Sequence, residues 1–221
     1  MTPAFLILCA ALTVAQGTND WRLVMTAPAA EDARSAEARS SGAIGEAAIP
    51  ACQRVSTGLM LCVSRSDVSG KIAMIADLTE ADTTLSTVLQ QAKSQVEARW
   101  SAQPAGTHNV EGMKGRYFVR AAGDGFDAAA LLRPDLLADL AGGKPVVAVP
   151  EDGTVLWWVP GDADFDKVVA VGVRRMVDAS AVPVSPRIYS WDPRTEAWTV
   201  WGEVRGTVDL PVPAAASAPI P

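Results

Sequence analysis

Polar and apolar positions divide the chain into segments of two different periods. "GLMLCVS" and "KIAMIADL" are short apolar runs joined by the polar "RSDVSG", the pattern of two strands and their turn. In "TEADTTLSTVLQQAKSQVEARW" the period changes. Leu85, Val88, Leu89, Ala92, Val96 and Trp100 recur at steps of three and four and form one stripe, which predicts a helix that Pro104 ends. "GRYFVRA" returns to alternation, with Tyr117, Val119 and Ala121 on one face and Arg116, Phe118 and Arg120 on the other, and predicts a strand. A helix is expected from Asp127 to about Leu140, then a hairpin through "PVVAVPEDGTVLWWV" turning at Asp152-Gly153, then a helix through "DFDKVVAVGVRRMV". "RIYSWDPRTEAWTVW" closes the pattern as a hairpin around Asp192-Pro193, and a four-residue turn there sets Trp191 opposite Trp198. Segregated hairpins and helices predict a single α+β domain whose antiparallel or mixed sheet is covered by about three helices.

Outside residues 51–205 the pattern fades. "MTPAFLILCAALTVAQG" is an apolar run followed by small residues and reads as a signal peptide over residues 1–17, cleaved after Ala15 or Gly17, although no Lys or Arg precedes the run. It is too short to span a bilayer, so no membrane span is expected in the mature chain. Residues 18–50 are mostly Ala, Ser, Gly, Glu and Arg and read as a low-complexity linker. The tail, 206–221, carries prolines at 211, 213, 219 and 221 and is expected to be disordered.

Export to the periplasm or the medium leaves Cys52 and Cys62 as the only thiols, and the oxidising compartment favours a disulfide across "CQRVSTGLMLC". Two buried free cysteines are the alternative if the chain stays in the cytoplasm. A net charge of -6 with a pI near 4.8 opposes binding to nucleic acid or to an anionic membrane surface. No metal or other cofactor is expected. Two cysteines and the single His108 do not complete a zinc site without acidic help. In "GDADFDK", Asp162, Asp164 and Asp166 alternate like calcium ligands, but Lys167 stands where the loop needs glycine and Val173 where it needs glutamate. These acids read as a helix cap and first-turn charges.

"YFVRAAGDGFDAAALL", "VVAVPEDGTVLWW" and "VPVSPRIY", preceded by "ADLTEADTTLSTVLQQAKSQVEARW", follow one another in an order and spacing that resembles the bacterial domain of unknown function 1444 family, also called YtpQ-like, over roughly residues 71–202. The residues that carry the resemblance are Tyr117, Phe118, Arg120, Asp124, Gly125, Phe126 and Asp127. Members of that family look longer before residue 51 and look cytoplasmic, which this chain does not. The resemblance implies a fold and no established reaction.

Candidate chemistry concentrates around residues 116–127. Asp124-Gly125 reads as a turn, Asp127 as the cap of the following helix, and Arg120 as a partner of either aspartate. The functional alternative uses Arg116 and Arg120, with Asp124 and Asp127 nearby, to hold a carboxylate or phosphate at the helix N-terminus. His108, placed in a loop "PAGTHNVEG", is the one base available to a hydrolase, yet no G-x-S-x-G elbow accompanies it. Trp157 and Trp158 must point to opposite faces of a strand, and with Trp191 and Trp198 they make either core and hairpin packing or an exposed aromatic platform, with Trp158, Trp191 and Trp198 as its candidates. The expected function is an exported, non-catalytic module of the cell envelope that binds an envelope protein or a wall component. The alternative is an enzyme, hydrolase-like, with a site near Arg120, Asp124, Asp127 or His108.

Overall fold

Fourteen elements order the chain in the computed structural model, which describes residues 21–26, 51–66, 72–74, 84–123 and 126–203. They are β1 (Trp21–Thr26), β2 (Cys52–Ser56), β3 (Leu59–Ser66), β4 (Ile72–Met74), α1 (Leu85–Ala102), β5 (Gly106–Asn109), β6 (Arg116–Arg120), a 3-10 turn (Ala128–Leu132), α2 (Pro134–Ala141), β7 (Val146–Ala148), β8 (Val155–Trp158), α3 (Ala163–Ala179), β9 (Arg187–Asp192) and β10 (Ala197–Glu203). This is the α+β class that the pattern predicts. Both sheets are antiparallel throughout.

The larger sheet has the order β10-β9-β7-β8-β6-β5, and both of its faces are covered. On one face Trp157, Val147, Tyr189 and Trp198 pack with the α1 stripe, the 3-10 turn, α2 and strands β1 to β3 of the small sheet, forming the main core. On the other face Trp158, Leu156, Val146 and Ile188 pack against Phe165, Val169 and Val173 of α3. Two covered faces explain why every residue of β8 is buried, as "VLWW" would not be in a sheet with one wet side.

Helix α1 buries Val88, Leu89, Ala92, Val96 and Trp100, the predicted stripe, and Thr84 caps it by accepting from the Thr87 N–H. The Asp152-Gly153 turn forms, with Gly153 at φ 81°, a conformation that a Cβ disfavours. Four residues separate β9 from β10, and Trp191 stands opposite Trp198 as expected.

The disulfide joins Cys52 to Cys62, which face each other across β2 and β3 with their Cα atoms 4.0 Å apart. The neighbouring Val63 N–H donates to the Ala51 carbonyl, which makes Cys52–Cys62 a pair without backbone bonds of its own, the closer of the two antiparallel spacings. The bridge therefore closes the open end of the β2–β3 hairpin.

Three expectations change. Residues 21–26 belong to the fold and are not linker: β1 pairs with β3 along its whole length and buries Leu23, Val24 and Met25. The helix expected from Asp127 to Leu140 is two pieces, because Pro134 forces the residue before it out of the helical region, and Arg133 sits at φ -129°, ψ 64°. His108 lies on a strand, β5, the exposed outer edge of the large sheet, and not in a loop. The signal segment 1–17, the rest of the linker and the tail 206–221 lie outside the described residues.

Candidate functional site

The turn after β6 is built around a buried ion pair. Arg120 donates from a guanidinium nitrogen to Asp127 Oδ1 and from Nε to the Gln103 carbonyl at 3.3 Å, and its guanidinium lies 5.1 Å from the centre of the Trp100 ring. Both side chains are at most 1% exposed. The Asp127 carboxylate also accepts from the backbone N–H of Ala122 at 3.1 Å and of Gly123 at 2.9 Å. Asp127 is thus not the helix N-cap expected of it. Its own backbone is helical, and its side chain reaches back to the preceding turn.

This arrangement removes Arg120 and Asp127 from the ligand-binding candidates, since neither reaches solvent. Arg116 is on the same strand face but exposed, its guanidinium 5.3 Å from the Phe118 ring centre, so the two arginines do not converge on one anion. Asp124 lies outside the described residues.

The aromatic platform does not form either. Trp158 is fully buried with its indole donating to Asp166 Oδ1 at 2.9 Å, and Trp198 is 4% exposed with its indole donating to the Leu131 carbonyl at 2.9 Å. Trp191 is half-buried, edge-on to Trp198 with ring centres 5.4 Å apart. Both faces of the sheet are covered, so the alternation that sends Trp157 and Trp158 apart sends each into a core. The acids of "GDADFDK" are structural: Asp162 caps α3 by accepting from the N–H of Asp164 and Phe165, and Asp166 holds Trp158 and the Gly161 N–H.

Among the described residues, two clefts flank β5, one on each side. Thr107 and His108 are consecutive on that edge strand, and each lines the cleft on its own side of the sheet. The larger, about 440 Å³, lies between α3 and the strands β5, β6 and β8. Its walls are Val119, Leu156, Val168, Val169, Val171 and Met176, and Gly172 leaves a gap in the helix face. His108 stacks on Tyr117, its cross-strand neighbour, with ring centres 5.2 Å apart, on one rim. Arg175 supplies the other rim. Its guanidinium has no ion-pair partner among the described residues, and no carboxylate lines the cleft.

This cleft was not legible in the sequence. Its walls come from four elements brought together by tertiary packing, and the nearest signal was the spacing of Val168, Val171, Gly172 and Arg175 on one face of α3. His108 has no hydrogen bond to a serine or an acid among the described residues, and its neighbour is the Tyr117 ring. The walls of the smaller cleft, about 230 Å³, include Trp100, Phe118 and Trp157.

No helix among the described residues is long and apolar enough to cross a membrane. No family model matches the chain, and neither do curated proteins or solved structures.

Proposed function

We propose that this domain is an exported, non-catalytic binding module of the cell envelope, and that its ligand occupies the cleft between α3 and the β5–β6 edge. The observation that carries the proposal is the make-up of that cleft: an aliphatic trough of about 440 Å³ whose ionisable lining, among the described residues, is confined to His108, Tyr117 and an Arg175 without an ion-pair partner. A cavity of that size with few polar groups suits small-molecule binding. In a chain of net charge -6, a rim with a guanidinium and no carboxylate favours an anionic head group. The matching ligand has an aliphatic body and a terminal acid, the chemistry of an acyl chain such as envelope lipids carry. The disulfide, the apolar N-terminal run and the absence of a G-x-S-x-G elbow support export and binding over hydrolysis. The likeness to the domain of unknown function 1444 family adds a fold expectation and no reaction.

Octanoate titrated calorimetrically into the protein tests this reading. Saturable binding is expected, weakened about tenfold by Arg175→Gln, as for loss of one charge-assisted contact. Gly172→Phe should abolish it by filling the trough, and because nothing lies within 4 Å of a Cβ built there, the helix should tolerate the change. Absence of octanoate binding, or binding that neither substitution alters, would overturn the proposal.

A further inference from the structure

The two edges of the large sheet are built differently. At β10 a register shift between Val200 and Gly202 breaks the ladder, and the Ser56 hydroxyl of β2 donates to the Trp198 carbonyl at 2.7 Å. Bulges and covering side chains of this kind keep a sheet edge from pairing with another chain. β5 has neither. Its register with β6 is unbroken from Gly106 to Asn109, all of its residues are exposed, and among the described residues its backbone groups bond to β6 alone. Alternate residues of such a strand direct their N–H and C=O groups outward, which makes a template for one more strand.

Side-chain alternation decides what an added strand would meet. Thr107 and Asn109 are on the face that holds the smaller cleft, about 230 Å³, opposite Phe118 and Arg116 of β6. The cleft walls include Phe118, Leu136 and Leu140, and the Ser101 hydroxyl among them already donates to the Glu97 carbonyl. Beside them Arg116 is exposed, its guanidinium 5.3 Å from the Phe118 ring centre and without an ion-pair partner among the described residues. Of the other charges on this side, Glu97 faces Arg133 at 3.6 Å, and Glu111 and Lys114, exposed between β5 and β6, offset each other.

We infer that β5 is the docking edge for an extended, acidic segment of a partner polypeptide. The segment pairs with β5 as an added strand, sets an apolar side chain in the smaller cleft beside Thr107 and, two residues away on the same face, a carboxylate toward Arg116. This is recognition by strand addition, in which main-chain bonds hold the peptide and pockets for alternate side chains select it. The added strand lies two strand spacings, about 10 Å, from β6, a gap that a glutamate and an arginine side chain together span. Charge complementarity selects this partner over a second copy of the chain, whose own β5 brings Gly106, Thr107, His108 and Asn109, with no carboxylate for Arg116 and no large apolar group for the cleft. The inference rests on β5 and the smaller cleft and not on acyl binding in the larger one.

The probe is the peptide acetyl-Thr-Glu-Thr-Leu-Thr-Glu-Thr-amide, whose leucine and glutamates share one face and read alike in both strand directions. It should bind saturably to the whole protein in calorimetry at 0.15 M salt, where the net charge of -6 is screened beyond about 8 Å. Arg116→Gln should weaken binding about tenfold, and so should glutamine in place of both peptide glutamates, a test that leaves the protein untouched. N-methylation of alternate peptide residues, in two complementary patterns, tests the pairing itself: the pattern that removes the donors facing β5 should abolish binding, and the other should leave it nearly unchanged. Gly172→Phe, which fills the larger cleft, should not alter peptide binding, so failure of the acyl reading and failure of this one are distinguishable. No binding at millimolar peptide, equal effects of the two methylation patterns, or an affinity indifferent to Arg116 would overturn the inference, as would a dimer in sedimentation that excludes the peptide.

Discussion

At the scale of single residues, the stretch from Arg116 to Asp127 shows how one side chain can satisfy a sequence rule by a different route. An aspartate before an apolar run reads as an N-cap, and a cap tolerates asparagine at a cost of a few tenths of a kcal/mol. Here the carboxylate instead neutralises a buried guanidinium and holds two backbone N–H groups of the turn. Asp127→Asn takes a negative charge from beside the buried guanidinium of Arg120 and sets an amide N–H₂ against donors, so it should cost about 3–5 kcal/mol in urea denaturation. Arg120→Met combined with Asp127→Asn should cost clearly less than the sum of the two single changes, because both changes remove the same contact. An Asp127→Asn variant within about 0.5 kcal/mol of wild type would return the residue to the role of a cap.

A second pair, Arg133 with Asp135, is exposed and therefore weak, but it titrates. The Asp135 carboxyl is held below its ordinary value of 3.8, first by its hydrogen bonds from Arg133 at 2.7 and 2.9 Å, opposed by partial burial. A carboxylate whose folded value is depressed adds stability above its unfolded value and loses it as pH falls through the folded one. With the Asp135 side chain 60% exposed, that contribution is about 0.2–1 kcal/mol at neutral pH. Asp135→Asn should thus lie slightly below wild type at pH 7 and converge with it below about pH 3.8. Parallel stability curves across that range would mean that the pair contributes nothing.

Elements were legible where local chemistry and tertiary demand coincide. The α1 stripe from Leu85 to Trp100 and the turns at Asp152-Gly153 and Asp192-Pro193 carry their own instructions, and the structure follows them. Elements were missed where tertiary contacts supply the reason. β5, "GTHN", has no alternation because all four of its residues are exposed, and only pairing with β6 makes it a strand. β1 hid in a polar, alanine-rich neighbourhood, where the short run from Leu23 to Met25 is outweighed by its surroundings. The disulfide belongs to this scale too. The ten-residue separation of Cys52 and Cys62 spans one hairpin, so Cys52→Ala with Cys62→Ala should lower stability by about 2–3 kcal/mol on the chain-entropy account, and reductant should do the same to wild type. A double variant as stable as the oxidised protein, or wild type unmoved by reductant while the bridge is demonstrably open, would contradict this.

For the molecule as a whole, the placement of β1 ties the N-terminal reading to the core. Removal of residues 1–17 would leave Trp21–Thr26 intact, and that strand runs the length of β3 with Leu23 and Met25 in the main core beside Leu61 and Val63. Export and folding then make a joint prediction. Protein recovered after expression of the full chain should begin at about residue 16 or 18 on N-terminal sequencing. A chain started at residue 18 should match it in denaturant midpoint. A chain started at residue 27 loses a six-residue ladder and the burial of Leu23 and Met25, each worth about 1.5–3 kcal/mol when fully buried, and should be destabilised by more than about 3 kcal/mol. Recovery of intact Met1 from the cytoplasm would end the export proposal and leave the strand untouched, whereas an undiminished midpoint for the shorter chain would remove β1 from the core and leave export standing. The two outcomes separate because the proposed cleavage would fall before Trp21, where the strand begins.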